Sequence, residues 1–175
     1  MKKLLLLLLT LTLVFSFAAC QSKPSGADPK ETGNNKQNEN LEGSLEDILN
    51  KIYDTAKVDD NFKAYVKDGL LINEITNENC AYHLGKEGIE FDSAIASVPM
   101  MSTSAYELDL VRVKEGADIE KIKAEIKDNV DPMKWICVGV EPENVIVDNI
   151  GDVIIVILSN DNGKALHDAF LALKG

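Results

Sequence analysis

The stretch "DVIIVILS" (152–159) does most to limit what this chain can fold into. Val153 to Leu158 are all apolar, so the stretch offers no polar side to solvent and is expected as a central strand, covered on both faces or by a helix. A central strand needs neighbours, and the sequence supplies candidates. "NVIVDN" (144–149) precedes it across a turn at Ile150-Gly151, which reads as a hairpin. "AYELDLVRVK" (105–114) alternates Tyr106, Leu108 and Leu110, as a half-buried strand does. "GIEFDSAIASVP" (88–99) is rich in strand formers and stops at Pro99, and "WICVGV" (135–140) reads as a buried strand-like segment. "LLINEIT" (70–76) fits strand or loop equally well.

Helical spacing appears elsewhere. Ser44 and Asp47 form a capping-box pattern ahead of Leu45, Ile48, Leu49, Ile52, Tyr53 and Ala56, which share one helical stripe. Residues 60–68 predict a short second helix before Gly69, and "NENCAYHL" (77–84) one or two helical turns ending at Gly85. Ile119, Ile122, Ile126 and Val130 mark a further helix, stopped by Asp131-Pro132. "KALHDAFLALK" (164–174) gives an amphipathic C-terminal helix. Strands grouped apart from helices predict a single α+β domain over 44–175: a mostly antiparallel sheet with helices packed mainly on one face.

The segment before this domain has a different character. "QSKPSGADPKETGNNKQNENLEG" (21–43) is nearly devoid of large apolar side chains and cannot offset chain entropy by burial. It reads as a flexible tether that holds the domain roughly 25–30 Å from its origin. Ahead of it, Lys2 and Lys3 precede an apolar run from Leu4 to Phe17, too short for a membrane span, and small residues follow. Residues 1–19 are therefore expected to be a signal peptide. Phe17-Ala18-Ala19-Cys20 resembles the lipobox of bacterial lipoproteins, with Phe17 departing from the usual Leu. The resemblance implies that Cys20 takes a diacylglycerol and becomes the new N-terminus. At about 0.8 kcal/mol per buried methylene, two acyl chains anchor stably where one would be marginal. The expected location is the extracytoplasmic side of the cell membrane.

Further motifs carry a second resemblance. The "PMMS" turn (99–102), the segment from Tyr106 to Val130, "DPMKWICVGVEPENVIVDN" (131–149) and the apolar strand up to Ser159 are similar to a family of short Firmicutes lipoproteins known only as a domain of unknown function. The similarity covers about residues 48–172. It implies a location and a domain, and no activity, cofactor or catalytic residue.

Charge narrows the partners. Loss of residues 1–19 removes two lysines and no acid, taking the net charge from −11 to −13. Such a surface is repelled by nucleic acid and by anionic headgroups, so nucleic-acid binding is not expected and membrane attachment has to come from the lipid. Cys80 and Cys137 are either a disulfide, worth roughly 4 kcal/mol for so long a loop, or two buried thiols.

Candidate chemistry is sparse. His167 beside Asp168 reads as a solvated histidine on the last helix. Cys80, His83 and Cys137 have ligand types suited to zinc, although one C-x-x-H and a distant cysteine fall far short of a paired motif. Asp59-Asp60, or Glu141 with Glu143, would serve glycoside chemistry only if they flanked one cleft. "DNIGD" (148–152) and "SNDNG" (159–163) lack calcium-loop spacing and read as turns. No nucleophile or phosphate-loop signature is present, and no cofactor is called for. Met100, Met101 and Trp135 offer a soft apolar interaction surface if exposed, or core if not. The expected function is a non-enzymatic, lipid-anchored module that contacts an envelope protein or small ligand. The alternative is an envelope hydrolase that uses surface carboxylates.

Overall fold

A computed structural model describes residues 40–174. Cys20 and the lipobox, together with most of the tether, lie outside them.

Helix α1, Leu45–Thr55, starts on a reciprocal cap: Ser44 Oγ accepts the Asp47 N–H at 3.1 Å, and Asp47 Oδ2 accepts the Ser44 N–H at 3.3 Å. Its stripe of Leu45, Ile48, Leu49 and Ile52 is buried. Helix α2, Asp60–Gly69, is capped by Asp59, which accepts the Phe62 N–H at 2.8 Å, and runs straight into strand β1, Leu70–Glu74. Helix α3, Cys80–Leu84, stops at Gly85, whose φ of 78° only glycine adopts without strain. Strands β2, Phe91–Pro99, and β3, Glu107–Val113, follow. Helix α4, Ile119–Asn129, is capped by Asp118. The hairpin of β4, Val145–Ile150, and β5, Val153–Leu158, turns at Gly151 as the sequence indicates, and helix α5, Gly163–Leu171, closes the fold.

The five strands form one antiparallel sheet in the order β1-β2-β3-β5-β4. Strand β5 is paired along both edges and buried along its whole length, the environment its unbroken apolar run demands. Each face carries its own core. On one, Leu108, Leu110, Ile155 and Ile157 meet the stripes of α1 and α5, with Phe62 of α2 beside them. On the other, Ala94, Ala96, Val111, Ile154 and Val156 meet Leu84 of α3, Ile126 of α4 and Trp135. Three of the five helices share the first face. The domain is thus the α+β arrangement with an antiparallel sheet that the spacing predicts.

Two local expectations fail, for related reasons. The "WICVGV" segment is an irregular loop. The Ile136 N–H goes to the Ser102 carbonyl at 2.9 Å, the Val140 N–H goes to the Pro132 carbonyl at 2.8 Å, and Cys137 has a φ of 60°. A short apolar run fits either state, and here its hydrogen bonds are taken up by turns. Strand β3 is buried on both faces, not on one, because α3, α4 and this loop cover its second side. Glu107 and Asp109, the polar partners in its alternation, are consequently sealed inside at 0 % exposure.

Candidate functional site

Those two acids organise a buried polar quartet. Glu107 and Asp109 point to the face that carries α3, and His83 of α3 and Lys134 of the irregular loop converge on them. Glu107 Oε1 is bonded to His83 Nδ1 at 2.8 Å and accepts from Lys134 Nζ at 2.9 Å. Lys134 also donates to the Tyr82 carbonyl at 3.1 Å and lies over the Tyr82 and Trp135 rings, 4.9 and 5.6 Å from their centres. Its side chain is only 4 % exposed, so the ion pair with Glu107 is shielded from water.

The quartet is incompletely satisfied. Glu107 Oε2 and both Asp109 oxygens are buried with no hydrogen-bond partner among the described residues. Burial, and next the neighbouring Glu107 charge, raise the Asp109 carboxyl well above its ordinary range against the pull of Lys134. One ligand atom each from His83, Glu107 and Asp109 lies within 4.8 Å of the others. No side chain of the quartet lines the shallow groove of about 360 Å³ at Ile89, Lys114, Ala117 and Ile122.

Above the quartet lies an apolar rim. Met100 and Met101 stand exposed in the β2–β3 turn, and Met133 and Ile136 in the loop that carries Lys134. Leu71 and Ile72 on β1 are half-exposed, as is Tyr82 on α3. Hydrogen bonds join these parts: Ile136 N–H to Ser102 O, Met100 N–H to Gly69 O at 3.0 Å, and the Lys134 side-chain Nζ to the Tyr82 carbonyl. Of the large exposed apolar side chains among the described residues, Leu171 lies elsewhere and Ile72 projects from the opposite face of the sheet, on the side of Ser97. Strand β1 is also an edge strand, with β2 as its single strand neighbour, and it contains no lysine, proline or bulge to discourage further pairing. At the opposite edge, by contrast, α4 lays Lys127 onto the Val145 carbonyl and Lys123 onto Asn149.

The candidates read from sequence are divided by this geometry. Met100 and Met101 are outside; Trp135, at 7 % exposure, is core and forms no part of the surface. Cys80 and Cys137 are free, one buried and one exposed. The buried Cys80 thiol donates to the Lys86 carbonyl at 3.2 Å, and burial pushes its pKa up, which disfavours the thiolate a metal needs. His83 finds its partner in Glu107 instead, with an Asp109 oxygen within 4.8 Å. His167 is not a free surface histidine: its Nε2 pairs with Asp148 Oδ2 at 2.7 Å, while Asp168 pairs with Lys164. Burial works to raise the Asp148 pKa, but the bonds from His167 and the Asn149 N–H, with the His167 and Lys123 charges, outweigh it and leave the group lowered. Asp59 serves as a cap and Asp60 pairs with Lys63. Ser159 accepts the Asn162 N–H at 3.1 Å, and Asn160 braces Glu141 and Gly139, so "SNDNG" is turn chemistry.

The acid pair could have been suspected from "ELDL" alone. Two acids spaced i, i+2 in a strand share one face, and a chain with helices enough for both faces leaves that face no water. Comparison of the chain with protein-family models, curated proteins and solved structures finds no match.

Proposed function

We propose that this chain is a lipid-anchored, extracytoplasmic binding module that docks another envelope protein along the rim of β1, the β2–β3 turn and the 131–139 loop. The observation that carries the reading is the exposure of Leu71, Met100, Met101, Met133 and Ile136 on and around the edge strand β1, with Ile72 exposed on the opposite face of that strand. Exposed apolar side chains scattered singly need no explanation, whereas a contiguous cluster marks an interaction surface. Methionines suit such a surface because their unbranched thioether chains repack against different shapes. The occupant this rim fits is an extended protein segment that adds a strand to β1 and lays alternate apolar side chains on the methionines. Attachment through Cys20 would hold the rim near the membrane and raise the effective concentration of a membrane-bound partner.

A photo-crosslinking residue placed at Leu71 or Met101 in the full chain, in its native envelope, tests this. One dominant protein adduct is expected from both positions, absent from a probe at Leu171 and diminished in Cys20→Ala. Equal labelling from Leu171, or no adduct from either rim position, would refute the docking surface. Labelled fatty acid that still incorporates into Cys20→Ala would refute the anchor.

A further inference from the structure

Lys134 neutralises one of two adjacent buried carboxyl groups and leaves the second without a counterion. Within the quartet it bonds to Glu107 Oε1 and so leaves Oε2 free, together with both oxygens of Asp109. A hydrogen-bonded outer atom with a free inner atom is how ligating carboxylates are commonly held: the outer bond fixes the plane of the group, and the inner oxygen meets the metal. The imidazole of His83 is held at the same point by the packing of α3, its ring edge-on to Tyr82 at 5.1 Å, and its Nδ1, now bonded to Glu107 Oε1, faces the carboxylates, so that a metal would take the place of that bond.

From this geometry we infer that His83, Glu107 and Asp109 form a closed binding site for one divalent transition-metal ion of the zinc class. Several features select that class. An imidazole nitrogen beside two carboxylates suits zinc and its neighbours, whereas calcium and magnesium favour sites built of oxygen. The ligand atoms now lie within 4.8 Å of one another, and a tetrahedral zinc shell needs them about 3.3 Å apart. Small side-chain rotations inward on the metal close that difference, with no movement of the sheet. Charge supports the same assignment. A dication gives the unpartnered oxygens of Glu107 and Asp109 an electrophile and leaves Lys134 bonded to Glu107 Oε1 and the Tyr82 carbonyl. Such a metal would be structural, since the site lies beneath side chains and outside the groove. It would pin α3 and β3 together directly beneath the apolar rim. The inference is independent of what docks there.

The full-length chain, stripped with a chelator, is titrated with zinc chloride and in parallel with cobalt chloride. The wild type is expected to take up one equivalent and to gain thermal stability as it does so, since a ligand that binds only the folded state stabilises it. Asp109→Asn, which preserves volume and removes the uncompensated carboxyl, keeps the fold and is expected to lose affinity by at least about tenfold. His83→Gln should do the same and should also abolish the imidazole-dependent cobalt spectrum, while His167→Gln changes neither. Failure of the wild type to bind either metal would overturn the assignment. Affinity unchanged in Asp109→Asn, or lost in His167→Gln, would overturn it equally, by placing the metal at another site. If His83→Gln does not fold, Asp109→Asn decides the matter alone.

Discussion

Replacing Lys134 with methionine removes the only ammonium group from the buried quartet and keeps the length and much of the volume of the side chain. At the 2.9 Å separation of Lys134 Nζ and Glu107 Oε1, and an effective dielectric near 20, the pair attracts by about 6 kcal/mol. Desolvation of both groups offsets much of that, so the pair contributes little in net terms compared with an apolar pair. Loss of one partner is another matter. Glu107, with no exposure to water, would lose its ammonium partner and keep only the His83 bond, and the Tyr82 carbonyl would lose its donor. The expected cost of Lys134→Met is therefore about 3–5 kcal/mol. Glu107→Gln added to Lys134→Met should recover at least about 2 kcal/mol of it, because the stranded charge disappears with its partner. Urea unfolding followed through Trp135, the single tryptophan of the chain, measures both quantities. Hydrogen exchange in the 131–140 loop should accelerate in the single variant, since Lys134 ties that loop to α3. A loss below about 1 kcal/mol for Lys134→Met, or a double variant as unstable as the sum of the two single ones, would refute the account of the quartet as a coupled buried pair.

Other expectations follow from local geometry. Gly85→Ala would place a Cβ 2.2 Å from the Asn129 carbonyl carbon and 2.3 Å from the Val130 nitrogen, at a left-handed φ, and should cost on the order of 2–4 kcal/mol in a thermal or urea melt. Ser44→Ala removes the cap of α1 and should cost about 1 kcal/mol in the same measurement. The lowered Asp148 pKa makes its contribution to stability present above the ordinary carboxylate range and lost as pH falls through the lowered value, so Asp148→Asn should flatten the acid limb of a stability–pH curve. An acid limb that Asp148→Asn leaves unchanged would contradict the pairing with His167. Tyr53, whose hydroxyl bonds to Ser97 at 2.8 Å and to Tyr106 at 2.9 Å, has its pKa pushed up from 10.0 to about 12, chiefly by burial. Its stabilising share is therefore present below pH 10.0 and lost as pH rises through about 12. Tyrosinate absorbance should show Tyr53 and Tyr106 ionising only together with alkaline unfolding.

Elements whose side-chain pattern and hydrogen bonding agree were readable from the sequence. Helix α1 carries its cap and its stripe in consecutive residues, and β5 announces two-sided burial because no polar residue interrupts it. Patterns that depend on what the rest of the chain does were not. "WICVGV" has strand-like side chains, yet Cys137 in the left-handed region and the turn bonds of Ile136 and Val140 make it a loop, information that lies in the backbone. The alternation in β3 is genuine, but its meaning changed once α3, α4 and that loop roofed the second face: Glu107 and Asp109 went from a solvated side to an interior one. Lys134 carries no sequence signal for burial, and the same loop folds it inward. His167 was misjudged for a similar reason, since Asp148 reaches it from a strand far away in sequence. In each case the missing signal is a long-range contact, which a single sequence does not encode by proximity.

The packing of α1 against α5 has a consequence for how the molecule comes to exist. Leu45, Ile48, Leu49 and Ile52 are among the first apolar residues of the domain, and they share a core with Leu166, Ala169 and Phe170, which are among the last. Strand β3 likewise has one side without a partner until β5 has been made. The chain cannot therefore assemble progressively as it is extended, and its earliest apolar surface stays open until its final helix is free. Such late closure leaves the early apolar surface of a nascent polypeptide exposed in the interval, and it makes the C-terminal helix the piece that completes this core.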